Sequence, residues 1–129
     1  MDISAHALSE YAQFLNHIGA MRSCDLITKR SDELVLVAGV KVSLQTPPIR
    51  SGKRVMFLTL DDGYGCNDLT FFEDAQADCA QIIRSSSLIL AKGHVRKTGP
   101  RGISIRATSV WELSKAFNSW RQSSAHAQN

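Results

Sequence analysis

The chain has 129 residues, 43% of them hydrophobic, and a formal net charge of +3. That length supports one hydrophobic core with short appendages, and the mild basicity leans only weakly toward an anionic partner. Cys24, Cys66 and Cys79 are odd in number and widely spaced, which fits neither a disulfide framework nor a zinc site and points to a reducing, cytoplasmic setting. No apolar run approaches the roughly eighteen residues of a membrane span, so no membrane role is expected.

From Ile3 to Ile18, Ala7, Leu8, Tyr11, Leu15 and Ile18 recur at helical spacing, with Asp2 or Ser4 as a candidate N-cap and Gly19 as a stop. A second helical turn is expected over Ser23 to Lys29, capped by Ser23. The period then changes. Leu34, Leu36, Ala38, Val40, Val42 and Leu44 alternate through a long first strand, and Gly39 inside it marks a candidate bend. Arg54 to Leu60 reads as strand two, DDGYG as a hairpin connection and Asp68 to Phe72 as strand three. Glu73 to Arg84 reads as a helix. Leu88 to Arg96 and Ile103 to Trp111 read as strands four and five, joined by TGPRG, and the Ser, Gln and Asn-rich tail after Lys115 is expected to fray.

Three strands, a helix and two more strands are the order of a mainly β, five-stranded OB-fold Greek-key barrel, here with an N-terminal helical extension. The expected organisation is a helical extension over 1–31, the barrel over 32–113 and a polar tail over 114–129. In that fold oligonucleotides lie across strands two and three, between the loops that join strands one to two and four to five.

Those two connections carry an unusual charge pattern. The stretches Lys41 to Arg54 and Lys92 to Arg106 hold nine of the fifteen Lys and Arg residues and no Asp or Glu, while six acids gather between Asp61 and Asp78. Two acid-free basic loops on one side of a barrel would hold a polyanion. Arg50, Lys53 and Arg54 in the first, Arg96, Lys97 and Arg101 in the second, and Arg106 on strand five are the candidate phosphate contacts; the plain alternative is ordinary solvated loop charge. Thr46, Pro47 and Pro48 stiffen the first loop, and Gly52, Gly99 and Gly102 let both loops turn. If Met56, Leu58 and Leu60 face the core, Val55, Phe57 and Thr59 face the groove, which makes Phe57 the leading base-stacking candidate, against burial by the N-terminal helix. Phe71 and Phe72 point to opposite faces, so one is core and the other a second stacker. Tyr64 reads as an exposed turn residue, Trp111 as packing on the barrel end, and Trp120 as packing nowhere definite.

The run VAGVKVSLQTPPIRSGKRVMFLTLDDGYGCNDLTFFEDAQ, with GHVRKTGPRGISIRATSVWEL behind it, resembles the OB domain of bacterial C-family DNA polymerases (the DNA polymerase III alpha-subunit family), most closely their error-prone, damage-associated branch. The resemblance begins near Asp2, ends near Leu113 and is most specific in the two basic loops. It implies a non-catalytic domain that contacts single-stranded template DNA. At this length the chain lacks polymerase palm, fingers and thumb, so no polymerase activity of its own is expected.

Asp61, Asp62 and Asp68 are the one carboxylate group to weigh as a metal site, but adjacent strand residues point to opposite faces and hairpin chemistry accounts for them, so no metal or cofactor is expected. The four histidines lack ligand spacing and no nucleophile has an evident base. The expected partner is single-stranded DNA, with no small-molecule substrate. The alternative is a protein-interaction module that docks on a DNA polymerase or accessory factor through the helix at Ile3 to Ile18 or the acidic middle zone. An RNA-binding OB domain is a third reading.

Overall fold

The computed structural model describes residues 3–47, 55–99 and 102–127. The alternating run after Leu34 forms the long strand β1 (Leu34–Gln45), followed by β2 (Met56–Asp61), β3 (Cys66–Phe71), β4 (Leu88–Lys97) and β5 (Ile103–Glu112). They close a barrel in the order β1-β2-β3-β5-β4. All pairs are antiparallel except β3 with β5, which run parallel through Leu69↔Ile105 and Thr70↔Arg106. The expected five-stranded OB barrel, with its helix between the third and fourth strands, is the observed fold.

Closure rests on β1, which pairs with β4 over Leu34–Val40 and with β2 over Val40–Gln45. Gly39 stands at the changeover. A Cβ there would lie 2.8 Å from the Asp61 carbonyl oxygen and 2.9 Å from the Leu60 Cβ, so only glycine lets β2 come this close. The irregularity itself lies further on, between Lys41 and Ser43, and leaves Val42 exposed. The expected single bend at Gly39 is therefore divided between a close approach and a later bulge.

Inside the barrel, Met56, Leu58 and Leu60 of β2 meet Leu69 and Phe71 of β3, Val35 and Val37 of β1, and Ile89, Val95 and Ile105. Helix α3 (Glu73–Ser85) adds Cys79 and Ile83 where β3 finishes. Lys41 bonds that helix to β1 by donating from Nζ to the Ile83 and Arg84 carbonyls at 2.8 and 3.1 Å, where a cation also meets the negative end of the helix dipole. Near the β2–β3 hairpin, a 3₁₀ segment (Ser23–Thr28) inserts Leu26 into the same core. Ser23 does not cap that segment, as its position suggested. Its N–H and Oγ instead donate to Asp62 at 2.6 and 2.8 Å, and Asp62 also accepts the Tyr64 N–H at 2.9 Å.

A second layer covers one part of the barrel's exterior. The predicted N-terminal helix is divided into α1 (Ile3–Leu8) and α2 (Ala12–Ile18) by a 3₁₀ turn at Ser9–Tyr11, and it ends as expected at Gly19, whose φ is 78°. Of its two candidate N-caps, Asp2 lies outside the described residues and Ser4 falls inside α1. The fraying expected after Lys115 gives way to helix α4 (Leu113–Ala127). Its polar composition concealed an apolar stripe at helical spacing, Leu113, Ala116, Phe117 and Trp120. Trp120, expected to pack nowhere definite, meets Phe14 with ring centroids 5.3 Å apart, and Phe117 meets Tyr11 edge-on at 5.0 Å. Together these helices cover Ala38 of β1 and Leu90 of β4. Trp111 is left 39% exposed on β5 rather than packed on a barrel end. Among the described residues no helix is long and apolar enough to cross a membrane.

Substituting Gly39→Ala should destabilise the fold by about 1–3 kcal/mol, because the clashing atoms include backbone. Urea unfolding followed by circular dichroism measures this, and an unchanged midpoint would contradict the close-approach account.

Candidate nucleic-acid interface

With the terminal helices seated over β1 and β4, the outer face of β2, β3 and β5 remains open. Alternation on β2 buries Met56, Leu58 and Leu60 and turns Phe57 outward at 43% exposure. Val55 departs from the expected pattern and is buried. Phe71 is wholly buried, whereas Phe72, the next residue, is 40% exposed. Arg106 of β5 stacks over the Phe72 ring with its guanidinium carbon 4.5 Å from the centroid, so cation and ring present one composite surface. Thr70 stands between Phe57 and Arg106 in register. The face therefore offers an aromatic ring, a hydroxyl and a guanidinium–ring stack in sequence, a pattern suited to stacking bases beside a phosphate.

One acid breaks that pattern. Asp68 lies next to Thr59 on the same face and accepts its hydroxyl at 3.0 Å. Its carboxylate makes this part of the face unfavourable to an anion.

Only part of the predicted cationic set falls within the described residues. Arg50, Lys53, Arg54 and Arg101 lie outside them, as do Pro48 and Gly52. Arg96 and Lys97 are exposed at the end of β4, but both are engaged. The Arg96 Nη1 sits 3.1 Å from Asp32 Oδ1, and the Lys97 Nζ donates to the Ile27 carbonyl at 3.1 Å. Asp32 adopts a left-handed conformation with φ of 71°, and its carbonyl accepts from His94 Nδ1 at 3.1 Å, which places the imidazole hydrogen on that nitrogen. A stretch free of acids in sequence thus meets an acid from 64 residues away in space.

The loops are also arranged differently from the expected pair on one side. Lys97 pairs with Ile103, two residues before the Ile105 that faces Leu69, so the β4–β5 turn stands toward the hairpin end of β3. Gln45 and Phe57, which flank the β1–β2 connection, stand toward the other end. The strand ends that flank the two connections consequently lie at opposite ends of the open face. Gly99 has φ of 132°, and the turn is closed by the Thr98 N–H donating to the Gly102 carbonyl at 2.9 Å, as the glycines suggested.

The three hairpin and strand carboxylates serve local structure. Asp61 accepts the Gly63 N–H at 2.9 Å, Asp62 holds Ser23 and Tyr64, and Asp68 holds Thr59. Among the described residues no three His, Cys, Asp or Glu side chains come together as metal ligands. Tyr64 is exposed as expected, yet Arg22 stacks over it at 4.7 Å, a contact no local sequence pattern announced. Burial raises the thiol pKa of Cys79, which keeps it protonated and unreactive, while Cys24 and Cys66 are exposed.

The barrel and its open face define an OB-fold nucleic acid binding domain, and the chain belongs to that family, of the tRNA anticodon type, through a match over residues 35–113. Its relatives include much larger polymerases. It is 40% identical over 81 residues to the error-prone DNA polymerase of Symbiobacterium thermophilum, covering 63% of this chain and 8% of that protein. It is 31% identical over 93 residues to the DNA polymerase III subunit alpha of Haemophilus influenzae, covering 72% of this chain and again 8% of the relative. Among solved structures, asparaginyl-tRNA synthetase from Pyrococcus horikoshii, complexed with asparaginyl-adenylate, shares the fold at a TM-score of 0.58 and 15% identity, over 74% of this chain and 22% of that one.

Because Asp32 competes for Arg96, Asp32→Asn should tighten binding of a labelled dT oligomer at low salt, by about two- to fivefold, while changing stability by less than about 1 kcal/mol. Anisotropy and thermal melting measure the two effects, and unchanged binding in the variant would show that Arg96 is not in the interface.

Proposed function

We propose that this chain is a non-catalytic module that binds single-stranded DNA across the open β2–β3–β5 face. The observation that carries the proposal is the exposure of Phe57 beside the Phe72–Arg106 stack, on a part of the barrel wall that, among the described residues, the terminal helices leave uncovered. Bases stack on Phe57 and on the Phe72–Arg106 pair; phosphates are held by Arg106 and, from the two basic loops, by Arg50, Lys53, Arg54, Arg96, Lys97 and Arg101. Contacts of this kind recognise the backbone and the faces of the bases, so binding is salt-sensitive and tolerant of sequence.

The polymerase relatives support DNA as the ligand and suggest that the module serves template handling in replication or repair. The carboxylates that a nuclease would use for metals are engaged in the hairpin and between strands, which supports a binding role rather than catalysis. Docking through the N-terminal helix is less well supported, because Tyr11 and Phe14 on its apolar face are already buried against α4.

Anisotropy with labelled dT12 across a salt series tests this reading. Seven phosphate contacts give a log-log slope of about -5, and replacing Arg50, Lys53, Arg96 and Arg101 with Gln should make it shallower by about 2.8. Phe57→Ala should weaken binding by about tenfold with the slope unchanged, since stacking is worth about 1–3 kcal/mol per base. No binding of dT12 at low salt rejects the proposal, and stronger binding of rU12 than dT12 would replace it with an RNA-binding role.

A further inference from the structure

The row of exposed side chains that begins at Phe57 does not stop at Arg106. Residues in register continue it around the barrel, from Phe57 to Thr70, Arg106, His94 and Leu34, one from each strand. Adjacent strands lie about 4.8 Å apart, so the row spans about 19 Å along the curved wall. At its far end Leu34 is 52% exposed and borders a pocket of about 360 Å³ between β1, β4 and the end of α2. Ile18, Met21, Leu34 and Leu36 give the pocket apolar walls, and Lys29 and Lys92 are the charged residues that line it.

The charges at this pocket are unequal in availability. Lys29 pairs with Glu33 at 3.6 Å. The Glu33 carboxyl is held below its ordinary pKa, first by the Arg30 N–H that it accepts and then, against an opposing desolvation, by the nearby charges of Lys29 and Arg30. The other nearby carboxylate, Asp32, is taken by Arg96. No described carboxylate pairs with Lys92, whose neighbour across β1 is Leu36. An unpaired ammonium beside an apolar wall suits a nucleotide: the base lies against the aliphatic side chains and the phosphate meets the cation.

Resting on the reading of the open face as a single-strand interface, we propose that the Leu34–Lys92 pocket is a further nucleotide subsite, reached by the strand after it crosses β5 and β4. Continuity with the Phe57–Arg106 row selects the occupant, and His94, half-buried between Arg106 and Leu34, is the link between the two regions. The footprint is longer than the two loops and the β2–β3–β5 face alone would require, and Lys92 contributes to affinity only for strands long enough to reach it.

The test uses the full chain with dT4 and dT12. Lys92→Gln should make the dT12 salt slope shallower by about 0.7, so that the parent-to-variant affinity ratio falls about 2.5-fold between 50 and 200 mM salt, and Lys92→Arg should restore the parent slope. Binding of dT4 should be the same in all three proteins. The Leu34 and Leu36 methyl resonances should shift with dT12 and stay in place with dT4. If dT12 binds and Phe57→Ala weakens it, yet Lys92→Gln leaves the slope unaltered and the Leu34 methyls unmoved, the subsite is refuted while the open-face interface stands. If dT12 does not bind the parent at all, the interface and the subsite fail together.

Discussion

A small barrel closes only if one strand serves two neighbours, and here β1 does so by pairing with β4 through its first half and β2 through its second. The changeover depends on backbone reaching a distance that any side chain would prevent, which Gly39 allows, and on extra turning, which the irregularity at Val42 supplies. Once β1 is bent, its outward residues on the early half, Leu36 and Ala38, line up with Leu88 and Leu90 of β4 as an apolar strip. The terminal helices cover that strip. Everything proposed for the opposite wall follows from its remaining bare.

The exposed side chains on that wall work as pairs rather than singly. Phe72 would be an isolated exposed ring but for the guanidinium of Arg106 over it, and Arg106 in turn is held at the edge of a stacking surface. The same pairing restrains other cations. Arg96 is drawn to Asp32, Lys97 to a carbonyl, and Lys41 to the end of α3. Net basicity of a loop is therefore an upper limit on what it presents to a polyanion, since each intramolecular partner must be displaced before a phosphate can take its place.

Much of the architecture was legible from periodicity. Alternation located all five strands within a few residues, and the switch from helical spacing to alternation at Leu34 marked where the barrel begins. The errors have a common origin. Trp120 and the α4 stripe looked unstructured because Ser and Gln dilute them, and only the partner rings of Tyr11 and Phe14, a hundred residues earlier, make that stripe a packing surface. Ser23 matched a local capping pattern, but the buried carboxylate of Asp62 offered it two hydrogen bonds from across the fold. Within the candidate site, Phe57 and Arg106 were legible as outward residues of their strands, whereas the hold of Asp32 on Arg96 was not.

Sequence by itself determined the order of the elements, the core-facing set Met56, Leu58 and Leu60 of β2 and the concentration of basic side chains in two connections, because each depends on neighbours along the chain. Tertiary structure alone decided which wall of the barrel is covered, which cations are already engaged and how far the row from Phe57 extends toward Leu34. Alternation tells two faces of a strand apart without saying what will lie against either. That choice is made by segments distant in sequence, through burial and ion pairing that exist only once the barrel has closed.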